Sequence, residues 1–165
     1  MQEGSMTELQ RGDAFRQAMR RMAASVSIVT AANGEEMAGA TVSSVVSVSF
    51  DPLSLLVCIH KGSRFYDMIV DRDRFCINLL DRSQEDISDK FSRPASEENL
   101  FGNGSWRDRE GMPWLEGAQA NFFLDKRQTC HFGTHAIIIG EVRDIFYAED
   151  VSPLIYLNGA YTGAA

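Results

Sequence analysis

Apolar and polar positions along the 165 residues change period several times, and each change marks a predicted element. From Asp13 to Ala24, Phe15, Ala18, Met19 and Met22 fall at helical spacing while Arg16, Arg20 and Arg21 lie off that stripe. This predicts an amphipathic helix with Asp13 as N-cap, packed over the edge of a sheet, and a flexible segment over residues 1–12. Val26 to Ala32 is rich in β-branched residues and reads as a strand ending at the turn signal Asn33-Gly34. A second extended run, Gly39 to Phe50, completes a hairpin whose loop is lengthened by Glu35, Glu36 and Met37. Asp51-Pro52 stops that strand, and the unbroken apolar run Leu55 to Ile59 predicts a strand covered on both faces.

Ser63 can cap a short helix running to about Asp71, and Phe75 to Leu80 reads as another buried strand. Gln84 to Phe91 predicts a short helix with Ile87 and Phe91 on one face. Ser92 to Gly117 carries Pro94, Gly102, Gly104, Gly111, Pro113 and both tryptophans, and is predicted to be irregular. Irregular stretches of that length usually have a job or cover a site. Trp106 and Trp114 read there as a small satellite core, or alternatively as a lid or dimer contact. Two long strands, Ala118 to about Cys130 and His135 to Tyr147, and a short one, Leu154 to Leu157, close the chain. A mainly β chain with a few short helices predicts a closed or partly closed barrel. Without βαβα alternation or a G-x-G-x-x-G, a Rossmann domain is disfavoured.

Composition narrows the partners more than the fold. With 44% hydrophobic and 24% charged residues the chain is an ordinary folded protein, and its length suits one domain, placed at residues 13–165. Sixteen basic against 23 acidic side chains give a net charge of −7, which argues against nucleic-acid or anionic-membrane binding while leaving room for a local basic pocket. No apolar run approaches the roughly 20 residues a membrane span needs, and the polar, acidic start Met1 to Glu8 is not a secretory signal. Cys58, Cys76 and Cys130 are odd in number, lack a C-x-x-C and are expected to be buried, inert thiols in a reducing cytoplasm.

Alternation along Thr41 to Phe50 would put Thr41, Ser43, Val45, Ser47 and Ser49 on one face and the mostly apolar Val42, Ser44, Val46, Val48 and Phe50 on the other. Four hydroxyls on one face suit a polar heterocycle or a phosphate, or else form a solvent-facing ladder. Lys61-Gly62-Ser63-Arg64, at a strand end and ahead of a helix, suits a phosphate, or else is a solvated turn. One strand separates the two segments, so together they could hold an elongated ligand by its ring and its phosphate. His131 and His135 flank a Gly-Thr turn with no third ligand nearby, so no metal site is expected. His135 could meet a substrate at a barrel mouth or be structural; His60 reads as structural. No G-x-S-x-G or Cys–His pairing supports nucleophilic catalysis.

In order and spacing, the chain resembles the short-chain flavin reductases that serve two-component monooxygenases, such as the reductases of 4-hydroxyphenylacetate 3-monooxygenase and of the pyrimidine oxygenase. The landmarks are Phe15-Arg16-Gln17-Ala18-Met19, Val26 to Thr30, Gly39-Ala40-Thr41-Val42-Ser43-Ser44, Ser47-Val48-Ser49 with Pro52, and Phe75 to Leu80. Gln84 with Phe91, Phe101-Gly102 with Trp106, and Gly111 to Leu115 continue them, and Gly133-Thr134-His135, Pro153 to Tyr156, Gly159 and Tyr161 complete them. The resemblance implies a split β-barrel flavin-binding fold, a homodimer, and hydride transfer from NADH or NADPH to FMN or FAD, with reduced flavin passing to a separate flavin-dependent oxygenase. It implies flavin contacts along Thr41, Val42, Ser43, Ser44, Ser47, Val48 and Ser49, and Lys61, Ser63 and Arg64 near the phosphate. By the same resemblance Phe91 lies close to the flavin pocket, and His135 and Tyr161 lie near the nicotinamide. The chain departs from the family pattern at Pro52-Leu53, where many relatives have two prolines, at Ala24-Ser25 for Thr-Gly, and at Thr134 for Asp. A same-fold reductase acting on another acceptor, such as a corrin, and a non-catalytic flavin-binding protein are the alternatives.

Overall fold

Most of the apolar runs become strands of one curled antiparallel sheet. The computed structural model describes residues 6–34, 36–93 and 100–163. Met1 to Ser5 of the segment expected to be flexible, together with Glu35 and Pro94, lie outside the described residues. The elements are α1 (Glu8–Met19), β1 (Ala24–Ser25), β2 (Ser27–Asn33), β3 (Glu36–Val42), β4 (Val46–Phe50), β5 (Leu53–His60), α2 (Arg64–Val70) and β6 (Arg74–Leu79). They continue with α3 (Glu85–Ser92), β7 (Trp106–Arg109), β8 (Met112–Leu115), β9 (Ala120–Phe132), β10 (His135–Tyr147), β11 (Leu154–Leu157) and β12 (Ala160–Gly163).

The large sheet runs β3-β2-β6-β9-β10-β5-β4. Its two terminal strands, β3 and β4, are joined by only Ser43, Ser44 and Val45, so the sheet has to curl until its edges meet. The expected single strand from Gly39 to Phe50 is therefore two: β3 pairs with β2 up to Val42↔Ser27, and β4 pairs with β5 from Val46↔Leu56. Between them the backbone changes partner. At that point Ser44 Oγ accepts from Cys58 N at 3.2 Å and donates to Cys58 O at 3.1 Å, where the antiparallel register would have put the next backbone rung. A side chain thus seals a seam that the ladder leaves open, which is the split of a split barrel.

Inside the barrel, Val29, Ala31, Val57, Ile59, Phe75, Ile77, Leu124 and Ile138 form the main core, and α2 inserts Phe65 and Ile69 among them. A second layer on the outside packs Val26, Ile28, Leu80, Phe91, Leu115 and Leu154, with Trp106 and Phe101 against it. Within Ser92 to Gly117, expected to be irregular, lies the hairpin β7–β8, which carries both tryptophans as satellite core. What holds it is buried and polar: Asn78 Oδ1 accepts from Leu115 N at 2.8 Å and from Asn121 Nδ2 at 2.9 Å, while Asn78 Nδ2 donates to Ile28 O and Thr30 Oγ1. Apolar patterning does not reveal such a strand, because it pairs with β7 and is tied to the large sheet by the side chains of Asn78, Asn121 and Thr30 rather than by a backbone ladder.

The first helix departs from expectation at both ends. Thr7, not Asp13, is the N-cap, with a capping box to Gln10, so residues 8–12 are helical rather than flexible. Asp13 instead pairs with Arg16 at 2.8 Å. The helix buries no side chain on this chain, and Leu9 (77% exposed) and Phe15 (66%) face outward rather than onto the sheet edge. Asn158 N, donating to Arg20 O at 2.8 Å, ties the end of the helix to the β11–β12 turn. Of the cysteines, Cys76 is fully buried and its burial pushes the thiol pKa up, Cys58 is half-buried, and Cys130 is exposed. The expectation of three buried thiols fails at Cys130 because the last residues of β9 run past the layers that cover the sheet.

Gly39 is required by packing: a Cβ there would lie 2.8 Å from the Phe91 ring and 3.1 Å from Val29 O. Gly39→Ala is expected to destabilise the protein by about 1–3 kcal/mol through overpacking. Asn78→Ala, which strands several buried partners, should cost about 3 kcal/mol or more. Ser44→Ala should cost about 1–2 kcal/mol. Urea unfolding of the three variants checks the values; an Asn78→Ala midpoint equal to wild type would contradict the anchoring role.

Candidate functional site

A cleft of about 870 Å³ opens between β3 and α2 and is closed at one end by the end of α3 and the turn Leu100–Gly102. Four of the residues expected at a site line it: Thr41, Ser63, Arg64 and Phe91. One wall is β3 itself, a terminal strand that pairs only with β2 and so offers backbone N–H and C=O groups along its other edge. Phe91 is held by aromatic neighbours, with its ring centroid 5.3 Å from Phe101 and 5.3 Å from Trp106. Phe101, Arg93 and Arg72 also line the cleft and were missed as site residues. Phe101 had a signal, as an aromatic in the stretch too long to be idle; the arginines had none, because only the fold brings α2 and α3 to one cavity.

The hydroxyls do not form one ladder. Thr41 Oγ1 donates to Ser88 O at 2.7 Å, so toward a ligand it can act only as an acceptor. Ser44 is committed to the seam on Cys58, and Ser49 Oγ accepts from Asp51 N at 3.0 Å. Ser63 Oγ donates to His60 O at 2.8 Å and, as the α2 N-cap, accepts from Tyr66 N at 3.2 Å. No side-chain hydrogen bond joins Ser43 or Ser47 to another described residue; both are exposed, outside the cleft lining. Val42 packs against the barrel core, whereas Val46 and Val48 and Phe50 (86% exposed), expected on an apolar core face, point out of this chain. The broken strand is the reason: once the backbone turns at Ser43–Val45, the alternation does not carry across.

His135 and the anion loop are neighbours. His135 pairs with His60 across β10 and β5, their rings meeting edge to face at 5.1 Å, and Thr134 Oγ1 shares a 2.9 Å hydrogen bond with His135 Nδ1. His60 Nδ1 accepts from Gly62 N at 3.1 Å, and Lys61 N donates to Thr134 O at 2.9 Å. So His60, read as structural, shapes the loop, while His135 and Lys61 stand beside the cleft rather than in its lining. Tyr161 lies on the α3 side: its hydroxyl meets Ser88 Oγ at 2.9 Å and its ring meets Tyr156 edge to face at 5.5 Å. Burial, first of all, pushes the Tyr161 phenol up from its ordinary value. No contact joins Tyr161 to His135, so this chain does not bring them to one point. The fully buried Ser88, unforeseen in the sequence, links Thr41 to Tyr161 instead. Among the described residues no group of three or more His, Cys, Asp or Glu is placed to hold a metal, and no helix is long and apolar enough to cross a membrane.

This geometry has counterparts. A family model described as a flavin reductase like domain matches residues 19–165. The chain is 37% identical over 157 residues to the reductase component of an FADH2-dependent resorcinol hydroxylase from Rhizobium sp. (strain MTP-10005), covering 93% of this chain and 88% of that one. It is 34% identical over 149 residues to an FMN reductase (NADH) from Pseudomonas syringae pv. syringae, covering 90% and 84%. Among solved structures, the styrene monooxygenase flavin reductase of Pseudomonas putida S12 superposes with a TM-score of 0.83 at 28% identity, over 92% of this chain and 97% of that one. A curled, split sheet with a cleft along its free edge, matched by a family model over nearly its whole length, makes this chain a member of the flavin reductase-like family.

Proposed function

We propose that the chain is an NAD(P)H:flavin oxidoreductase that reduces FMN or FAD and passes the reduced flavin to a separate flavin-dependent oxygenase. The observation that carries this reading is the cleft itself, where a free strand edge, an aromatic wall and the Arg64 and Arg93 cations line one cavity. These groups fit a flavin nucleotide. The free edge of β3 would meet the polar edge of the ring, and Thr41 would accept an N–H or O–H of the ligand. The phosphate would fall to Arg64, to Arg93, which also pairs with Asp89 at 3.6 Å, and to Lys61, next to the lining residue Gly62, while the protons of Thr41, Ser44 and Ser63 are engaged elsewhere. Phe91, packed with Phe101 and Trp106, would keep water from that wall.

A bound flavin would supply the hydride-accepting ring and would leave in its reduced form; the protein contributes placement. His135, steered by Thr134 and His60, is assigned to the donor side, where its ring edge would orient a nicotinamide. The Pseudomonas syringae relative is an FMN reductase (NADH), which favours NADH as donor, and the Rhizobium relative is the reductase component of a hydroxylase, which favours an oxygenase partner. Exposed Val46, Val48 and Phe50 on β4 and Leu9 and Phe15 on α1 support a homodimer, in which a second copy would cover them. The reading takes residues 13–165 as one domain acting in the cytoplasm.

Anaerobic oxidation of NADH by the purified chain, with and without FMN, tests the proposal. Oxidation should depend on FMN; Arg64→Ala should raise the KM for FMN about tenfold, the loss of one charge-assisted contact, and His135→Ala should act on kcat. Flavin binding with no oxidation of either NADH or NADPH would contradict the reductase reading.

A further inference from the structure

Every backbone N–H of the loop between β5 and α2 is engaged within the chain. Lys61 N donates to Thr134 O at 2.9 Å, Gly62 N to His60 Nδ1 at 3.1 Å and Ser63 N to His60 O at 3.0 Å. The hydroxyl of Ser63 adds a second bond to His60 O at 2.8 Å. Arg64, the next residue, opens α2 and lines the cleft together with Gly62 and Ser63. The place from which Arg64 reaches into the cleft is therefore set by where these loop donors find acceptors.

Two of the three backbone anchors end on carbonyl oxygens, which accept at any pH. The middle one ends on a ring nitrogen, which accepts only while it carries no proton. Gly62 N has only a hydrogen to offer, so His60 is held as the neutral ring with its proton on Nε2. Packing agrees independently of this bond: a Cβ on Gly62 would lie 3.0 Å from His60 Cε1, so the loop is laid directly against the ring. His60 itself is exposed and stands outside the cleft lining, so it acts through the loop. Around the ring, His135 meets it edge to face from β10 at 5.1 Å, and Lys61 and Arg64 follow it in the loop and α2. Cys58 on β5 and Cys130 on β9 share its sheet face, while His131 Nε2 is 3.0 Å from Tyr66 Oη. A proton on His60 Nδ1 would set donor against donor at Gly62 and add a charge among cations.

We propose that His60 is a positioning residue for the anion-binding loop: its neutral ring holds Gly62, and thereby Ser63 and Arg64, in place, and protonation of the ring releases the loop and weakens binding of the ligand's phosphate. The assignment rests on the flavin reading of the cleft and adds a dependence on pH to it. Histidine changes charge between about pH 5 and 8, where binding can be measured directly.

Equilibrium titration of the full chain with FMN at about pH 7.5 and about pH 5.5 tests it in wild type, His60→Asn and His60→Ala. Asparagine offers an Oδ1 in place of Nδ1 and accepts without titrating; alanine removes the acceptor. The phosphate of FMN and the other histidines titrate in all three proteins, so the comparison between variants isolates His60. At the higher pH, wild type and His60→Asn should bind FMN alike and His60→Ala about three- to tenfold more weakly, the loss of one hydrogen bond. At the lower pH the wild type should fall to the level of His60→Ala while His60→Asn keeps its advantage. Riboflavin, which lacks the phosphate, should bind all three alike at both values. The side chain is exposed, and thermal melts confirm that the variants are folded. A ratio of wild-type to His60→Asn affinity that does not change with pH overturns the positioning role. So does a ratio that rises on acidification, as a cation beside the phosphate would give. Wild type that binds FMN no better than riboflavin, or binds neither, would instead overturn the flavin reading on which the assignment rests.

Discussion

Backbone pairing along β4 and β5 ends at Val46↔Leu56, and the hydroxyl of Ser44 takes both backbone groups of Cys58 in place of the next rung. That substitution lets the chain leave β5 and join β2 while the barrel stays shut. Because β3 is steered away, its outer edge remains unpaired; because β5 continues to His60, α2 starts beside that edge. The cleft is the space between them. A full ladder from β3 to β5 would bury the edge, and a complete break would leave Phe65 and Ile69 of α2 without the interior they fill.

Once the cleft exists, most of its polar groups are already committed inward. Thr41 serves Ser88, Ser63 serves His60 and the cap of α2, and Ser88 serves Tyr161. These bonds fix the walls and remove neutral donors from the ligand's side. In the proposed reading, anion binding is left to Arg64 and to Arg93, which also pairs with Asp89 at 3.6 Å, and base recognition to a strand edge. One stretch of chain lines that side of the cleft, with Arg64 at the start of α2, Asp67 within it, and Asp71 and Arg72 just past its end.

Period and β-branching made most strands legible, and the barrel followed from them; of the hydroxyl segment only Thr41 lines the same cleft as Ser63 and Arg64. The resemblance pointed to Thr41, Arg64 and Phe91, which do share a cavity. The break at Ser43–Val45 was missed although the doublets Ser43-Ser44 and Val45-Val46 interrupt the alternation there, because the β-branched run on either side reads as one strand. Also missed was β8, held to the sheet by side chains such as the Asn78 amide. The cap at Thr7 was overlooked although Thr7-x-x-Gln10 spells a capping box, since Asp13 offered a competing signal nearer the apolar stripe. Arg72 and Arg93 have no local pattern at all; tertiary placement alone makes them site residues.

The most direct test of the account is amide chemical-shift mapping of the ¹⁵N-labelled chain during titration with FMN. The cleft predicts shifts concentrated at Gly39 to Thr41, Gly62 to Arg64 and Phe91 to Arg93, and their loss on titrating a Ser44→Ala variant whose seam is open. Shifts that cluster elsewhere, for instance on β4 around Ser47 and Ser49, with those three segments silent, would contradict the placement of the flavin along the free edge of β3.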